Sequence, residues 1–207
     1  MSSLFPGLPA LERLPLPDGE LWLQRALPLG RPPEEVLDEL LRTLAWKSET
    51  IVLWGKRYRQ PRLLAWYGDA GAGYRYSGTF HEPLVWTPLL LDLRVRVEAA
   101  TGERFNSVLA NLYRDGSDSM GMHADDEPEL GPEPVIASLS LGETRTFVLR
   151  HRLDRTQKAR RLELESGSLL VMKGTMQRFW KHGLPKEKPG CGPRVNLTFR
   201  RVLEARR

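Results

Sequence analysis

Apolar and polar positions divide the chain into two textures, helical first and β-like later. Over residues 33–45, Val36, Leu37, Leu40, Leu41 and Leu44 recur at three- and four-residue spacing, which predicts a helix with one buried stripe. Pro32 and Pro33 suit its first turn, and Glu34 and Glu35 favour its positive end. Residues 88–100 predict a second helix, ended by Gly102. Residues 1–32, rich in proline and leucine, read as an irregular wrap with one short strand at 20–27. Residues 49–66 read as a hairpin or two short strands with Gly55 at a turn, and 67–80 as a Gly-rich loop without either phosphate-cradling glycine motif.

From Phe105 the period changes. Short β-like runs at 105–113, 135–141, 146–150, 161–165, 168–173 and 194–202 are separated by turn residues such as Asp115-Gly116, Gly142 and Ser166-Gly167. Six short strands with regular turn signals predict a sandwich, barrel or jelly roll. The fold class is therefore α+β, a helical N-terminal half supporting a C-terminal β core. The division expected is an N-terminal extension at 1–32, a helical support with hairpin and loop at 33–104, and the β core at 105–207, the whole forming one compact unit.

Composition narrows the class. Hydrophobic residues at 41% and charged residues at 28% fit a soluble globular chain and exclude a disordered one. No stretch approaches a membrane span, the N-terminus lacks the layout of a signal peptide, and the single Cys191 excludes a disulfide framework and a Cys-rich zinc site. An intracellular location is the expectation, cytoplasmic in a bacterium and nuclear in a eukaryote. The net charge of +5 conceals an asymmetry: residues 1–143 carry 14 basic and 21 acidic side chains, residues 144–207 carry 17 and 5. A regional excess points to a polyanionic partner, although a solvated basic face produces the same count.

Only four histidines are present, His81, His123, His151 and His182. His123 and Asp125 are two apart, so on an extended strand they share one face about 6.6 Å apart; His182 is expected just after a strand-to-loop transition. Two imidazoles and a carboxylate form the facial triad of non-haem Fe(II) oxygenases. A His-x-Asp pair also arises as an exposed histidine beside an acidic turn. In the last strand, PRVNLTFR, Val195, Leu197 and Phe199 alternate with Arg194, Asn196, Thr198 and Arg200. Arg194 and Arg200, roughly 20 Å apart at Cα, suit the two ends of a small dicarboxylate, or else the solvated face of an edge strand.

These segments, NLYRDGSDSMGMHADDE (111–127), IASLSLG (136–142), FVLRH (147–151), GSLLVM (167–172), His182 and PRVNLTFR (193–200), resemble the AlkB family of Fe(II)- and 2-oxoglutarate-dependent dioxygenases, over about residues 51–202. The resemblance implies a double-stranded β-helix, a jelly-roll variant, bearing a nucleotide-recognition lid. It implies iron ligands His123, Asp125 and His182, with Fe(II), 2-oxoglutarate and O2 required. Arg194, with Tyr113 and Asn196 beside it, is implied at the distal carboxylate of 2-oxoglutarate, and Arg200 and Asn111 at its metal-proximal end. The implied chemistry hydroxylates an N-alkyl carbon, releasing formaldehyde, succinate and CO2.

The segment IVLWGKRYRQPR (51–62) has four cations and no acid. Trp54, before Gly55, reads as the packed tip of a hairpin or as a wedge between base steps, with Arg62 among the cations holding phosphate. The segment resembles the duplex-DNA repair branch of the family, as does YGDAGAGYRYSG (67–78), the lid. Tyr74 and Tyr76 would there meet an extruded nucleotide. Asp126 is implied to contact the base near Arg200, with Glu127 supporting it. The reading is a monomeric DNA repair dioxygenase acting on N1-methyladenine and N3-methylcytosine in double-stranded, alkylated DNA, without a membrane. Its alternatives are an RNA- or single-strand-directed demethylase of the same family, and a non-catalytic nucleic-acid-binding protein.

Overall fold

A computed structural model describes residues 10–53, 56–76 and 79–203. In chain order the elements are β1 (Glu12–Leu14), β2 (Glu20–Gln24), α1 (Pro33–Thr43), β3 (Thr50–Leu53), β4 (Lys56–Arg59), β5 (Leu63–Gly68), β6 (Tyr74–Tyr76), β7 (Thr79–His81), α2 (Pro88–Thr101), β8 (Ser107–Tyr113), β9 (Met120–His123), β10 (Ile136–Gly142), β11 (Arg145–His151), β12 (Arg160–Leu164), β13 (Leu169–Lys173), α3 (Met176–Phe179), β14 (Trp180–Leu184) and β15 (Arg194–Arg200). A seven-stranded sheet runs β1-β2-β13-β10-β15-β8-β5, and a four-stranded sheet runs β12-β11-β14-β9. Every strand pairing in both is antiparallel. β3-β4 and β6-β7 form separate hairpins.

Both sequence-predicted helices are present, and local chemistry sets their ends. Thr87 Oγ1 accepts from the Leu90 amide at 3.2 Å and Pro88 opens the first turn of α2. Gly102 closes that helix in the left-handed region at φ 71°. Val36 and Leu40 of α1 and Leu90, Leu93 and Val97 of α2 pack on the outer face of the large sheet, against Leu139, Leu141, Leu197 and Phe199. The inner face of that sheet turns toward the small sheet. At one end the gap is filled by Ile136, Leu149, Leu170, Met176 and Trp180.

The alternation read in the last strand holds, with a correction. Val195, Leu197 and Phe199 lie under the helices. The polar set is also buried, because β15 is a central strand between β10 and β8, not an edge. Gly142, φ 90°, ends β10 where a Cβ would run into the Pro193 carbonyl.

Other elements depart from the sequence reading. The wrap at 1–32 supplies two strands that extend the large sheet, and the Gly-rich loop contains the β6-β7 hairpin. His182 lies inside a strand, β14, rather than beyond one, and Asp125 lies beyond β9 rather than on it. No described helix is long and apolar enough to cross a membrane.

Candidate metal centre

His123 is the last residue of β9 and pairs in register with His182 of β14. Asp125 follows in the loop, and one ligand atom from each of the three lies within 4.8 Å of the others. The imidazole centroids are 4.3 Å apart, and His182 also stacks on Phe147 at 5.3 Å. His123 Nδ1 lies 3.0 Å from the Gly121 carbonyl, which assigns the proton to Nδ1 and leaves Nε2 free to coordinate. His182 Nε2 lies 3.5 Å from Asp125 Oδ2, and its buried Nδ1 has no hydrogen-bond partner among the described residues. Packing therefore orients that ring.

The electrostatics favour cation binding. Burial, then neighbouring His182, pushes His123 down to about 4, so its imidazole is neutral at physiological pH. Burial opposes the Asp125 charge, but Arg200, His182 and His123 together hold the carboxyl well below its usual range. Arg200 Nη2 donates to Asp125 Oδ1 across a buried ion pair. Two imidazoles and an ionised carboxylate, with His182 and Asp125 buried, fit a divalent transition metal with open positions.

Two cavities meet here. The inner one lies between the sheets and is lined by Asn111, Tyr113, Ser138, Arg194, Asn196 and Thr198 as well as the cluster. The outer one is walled by Gln60, Arg62, Leu64, Met122, Glu127 and Arg200 and shares His123 and Asp125. Arg194 marks the inner cavity. It is 2% exposed, donates to Ser140 Oγ at 2.8 Å, and sits 5.6 Å from the Tyr113 ring centroid. Among the described residues it has no carboxylate partner, and burial lowers its pKa to about 10. A buried cation without a counter-ion is suited to receive an anion.

Asn196 Nδ2 donates to Ser138 Oγ at 2.6 Å, and Thr198 Oγ1 donates to Asn196 Oδ1 at 3.0 Å. Burial raises the Tyr113 phenol against the nearby Arg62, Arg194 and Arg145. Ser138 and Ser140 went unnoticed in the sequence, although IASLSLG alternates visibly. Gln177 also went unnoticed; no local pattern marks it.

Several expected substrate contacts sit differently. Arg62, expected on a phosphate, is 7% exposed and donates through Nε to Asn111 Oδ1 at 2.9 Å, joining the walls of the two cavities. Asp126, expected against the base near Arg200, is half exposed and accepts from Arg152 Nη1 at 2.7 Å, outside both cavity walls. Glu127, expected to support it, lines the outer cavity, and burial raises its pKa against the attraction of Arg200. Trp54 and Gly55 lie outside the described residues. Tyr74 and Tyr76 lie on β6, their side chains likewise undescribed. His151 belongs to neither cavity; it packs against Phe179 and Trp180 and accepts from the Asp154 amide at 2.7 Å.

Residues 29–200 match the 2OG-Fe(II) oxygenase superfamily, and the chain belongs to it. Fe(II), 2-oxoglutarate and O2 are what that superfamily requires, and the donor set and inner cavity fit them. Within it, the chain is 46% identical over 175 residues to human alpha-ketoglutarate-dependent dioxygenase alkB homolog 3, covering 81% of this chain and 60% of that protein. It is 44% identical over 163 residues to mouse DNA oxidative demethylase ALKBH2, covering 76% and 68%. The human ALKBH2 match is 41% over 179 residues, covering 82% and 69%. The chain thus spans about three fifths of the length of homolog 3. The solved structure of OsALKBH1 superposes with TM-score 0.64 at 20% identity, over 93% of this chain and all of that one. A 2OG-Fe(II) family oxidoreductase from Burkholderia pseudomallei gives 0.58 at 15%, over 90% and 89%. These two likenesses establish the fold.

Proposed function

We propose that the chain is an Fe(II)/2-oxoglutarate-dependent dioxygenase that removes N-alkyl groups from nucleic-acid bases, with N1-methyladenine and N3-methylcytosine in double-stranded DNA as its substrates. The observation that carries this reading is the convergence of His123, Asp125 and His182 where the two cavities meet, with a buried, unneutralised Arg194 in the inner one. His123, Asp125 and His182 hold the metal. When bound, Fe(II) with 2-oxoglutarate and O2 supplies the oxidation that turns an N-methyl into an N-hydroxymethyl group, which leaves as formaldehyde, while the cosubstrate becomes succinate and CO2.

The chain's own residues do the remaining work. Arg194 pairs with the distal carboxylate of 2-oxoglutarate, and Tyr113 and Asn196 shape that end of the cavity. Arg200 keeps Asp125 ionised and, with Asn111, borders the metal-proximal end. The outer cavity admits the base, with Glu127 and Arg62 in its wall and hydrophobic Leu64 and Met122 excluding water. Tyr74 and Tyr76 of the lid stack on the extruded nucleotide, and Trp54 with Gly55 forms the wedge. Asp126 acts on the base only indirectly, through the loop it shares with Asp125.

A nucleic-acid substrate is also favoured by the small sheet. Arg150 of β11 and Lys181 of β14 are directly opposed in register, and both are exposed. Like charges so placed destabilise a sheet, a cost that phosphates relieve. The experiment is succinate and formaldehyde release with Fe(II), 2-oxoglutarate and methylated oligonucleotides, single- and double-stranded. Turnover on the duplex, lowered by Trp54→Ala, is expected. Turnover on single strands or RNA alone overturns the duplex assignment, and nucleic-acid binding without succinate overturns the enzyme.

A further inference from the structure

Asp125 lies outside the sheet. Its strand ends at His123, so no ladder hydrogen bond fixes the backbone that carries it. The Asp125 amide instead donates to Gln177 Oε1 at 3.0 Å. Gln177 is 2% exposed and belongs to α3, the single helical turn directly before β14. His182 follows five residues later. One short segment therefore carries His182 and grips the backbone of Asp125.

A second tether joins the same parts. Arg152 Nη1 donates to Asp126 Oδ2 at 2.7 Å and to the Gln177 carbonyl at 3.0 Å. The Arg152 amide donates to the Phe179 carbonyl at 2.7 Å, so the residue after β11 is fixed to α3 as well. Loop residues 125 and 126 are thus held twice to one helical turn, once through a backbone amide and once through a carboxylate. Nothing else in the proposed function uses Gln177 or Arg152, and Asp126 faces Arg152.

We propose that α3 is a clamp for the metal-site loop, with Gln177 the positioning residue that sets Asp125 against His182 and Arg152–Asp126 the brace that keeps Gln177 in register. This rests on the metal-centre reading above. A metal bound by His123, Asp125 and His182 needs the carboxylate at a fixed place relative to two imidazoles on paired strands. Arg200 holds the carboxylate from one side, but a carboxylate on a free loop still rocks about that contact. Gln177 removes the freedom at the backbone. Partners that orient a ligand from behind commonly alter metal affinity about 10- to 100-fold when removed.

The test uses the full chain and Co(II) alone, as a spectroscopic probe that does not turn over. Its affinity is read by competition with a fluorescent chelator and its geometry by visible ligand-field absorption at saturation. Gln177→Met keeps the length of the side chain and removes the acceptor; it is expected to weaken Co(II) binding about tenfold and to change the band shape. Arg152→Met, at a partly exposed position one contact further from the metal ligands, is expected to weaken binding about threefold, below the roughly 10- to 100-fold range of partners that touch a ligand directly. A lower unfolding midpoint with unchanged Co(II) affinity and spectrum assigns Gln177 a merely structural role and overturns the clamp. If Gln177→Met does not fold, an unchanged affinity in Arg152→Met overturns it equally. Absence of Co(II) binding by the unaltered chain refutes instead the metal-centre reading.

Discussion

Arg194 and Asp118 show how single buried charges divide between function and stability. Arg194 carries its charge into the protein with Ser140 Oγ and the Tyr113 ring beside it and no carboxylate partner among the described residues, and burial draws its pKa down to about 10. That charge, opposed by burial and by nearby Arg145, disfavours folding of the empty chain and favours binding of a carboxylate. Arg194→Met should therefore leave the unfolding midpoint of the empty protein within a degree or so, or raise it. In the unaltered chain with Co(II), saturating 2-oxoglutarate at a hundredfold over Kd should stabilise by about 2.7 kcal/mol, several degrees for a domain of this size. The Met variant should lose that rise, as followed by differential scanning fluorimetry; an undiminished rise would remove Arg194 from the cosubstrate site. Asp118 has the opposite balance. Burial opposes its charge, but Arg114 binds it through the backbone amide at 2.9 Å and through Nε and Nη2 at 2.8 Å, and its pKa falls. A carboxylate depressed in the native state contributes stability above its unfolded value near 4 and loses it as pH falls through the lower native value. Asp118→Asn should accordingly lower the midpoint at pH 7, and the gap from the unaltered chain should close as the pH is taken below about 4. A gap independent of pH would mean that the loss is steric.

At the scale of elements, β11 and β14 carry the most exposed charge conflict in the described sheets, Arg150 opposite Lys181, with Arg161 of β12 opposite Val148 beside it. Arg150→Glu and Lys181→Glu should each weaken oligonucleotide binding and reduce the salt slope of log K by about 1, without lowering thermal stability, since each replaces a repulsive cross-strand pair by an attractive one. Fluorescence anisotropy at several KCl concentrations measures this, and unchanged slopes would free the small sheet from nucleic-acid contact. β15 and β10 were readable because alternation with period two survives burial of both faces: the helix-facing side is aliphatic and the cavity-facing side is polar. β9 and β14 were not, because MGMH and WKHGL are short and contain no clean alternation, and their pairing depends on strands far away in sequence. The three candidate metal ligands are legible through histidine scarcity and family resemblance, whereas their local geometry is not. Asp125 is held by Gln177, 52 positions away, and no local pattern encodes a contact across that distance. Asp126 is a similar case: its partner Arg152 lies 26 positions on, beyond the reach of any local pattern.

Across the whole molecule, positive charge is divided between two environments. The chain from 144 onward supplies 17 of the 31 cationic side chains. Arg194 and Arg200 are 2% and 4% exposed inside the sheets, whereas Arg150, Arg155, Lys158, Arg161 and Lys181 are on the surface. Mobile ions screen the second group and hardly reach the first. One titration with KCl therefore separates the two. From about 50 to about 200 mM salt, the apparent Kd for a methylated oligonucleotide should rise steeply, because each surface phosphate contact releases counterions with a slope near 0.9 on a duplex and 0.7 on a single strand. The apparent KM for 2-oxoglutarate, measured with nucleic acid saturating at each salt concentration, should change by less than about twofold, since its arginines are shielded from the solvent ions. Parallel salt dependence of the two constants would mean that the cosubstrate is held at the surface, and would separate the inner cavity from the role assigned to it.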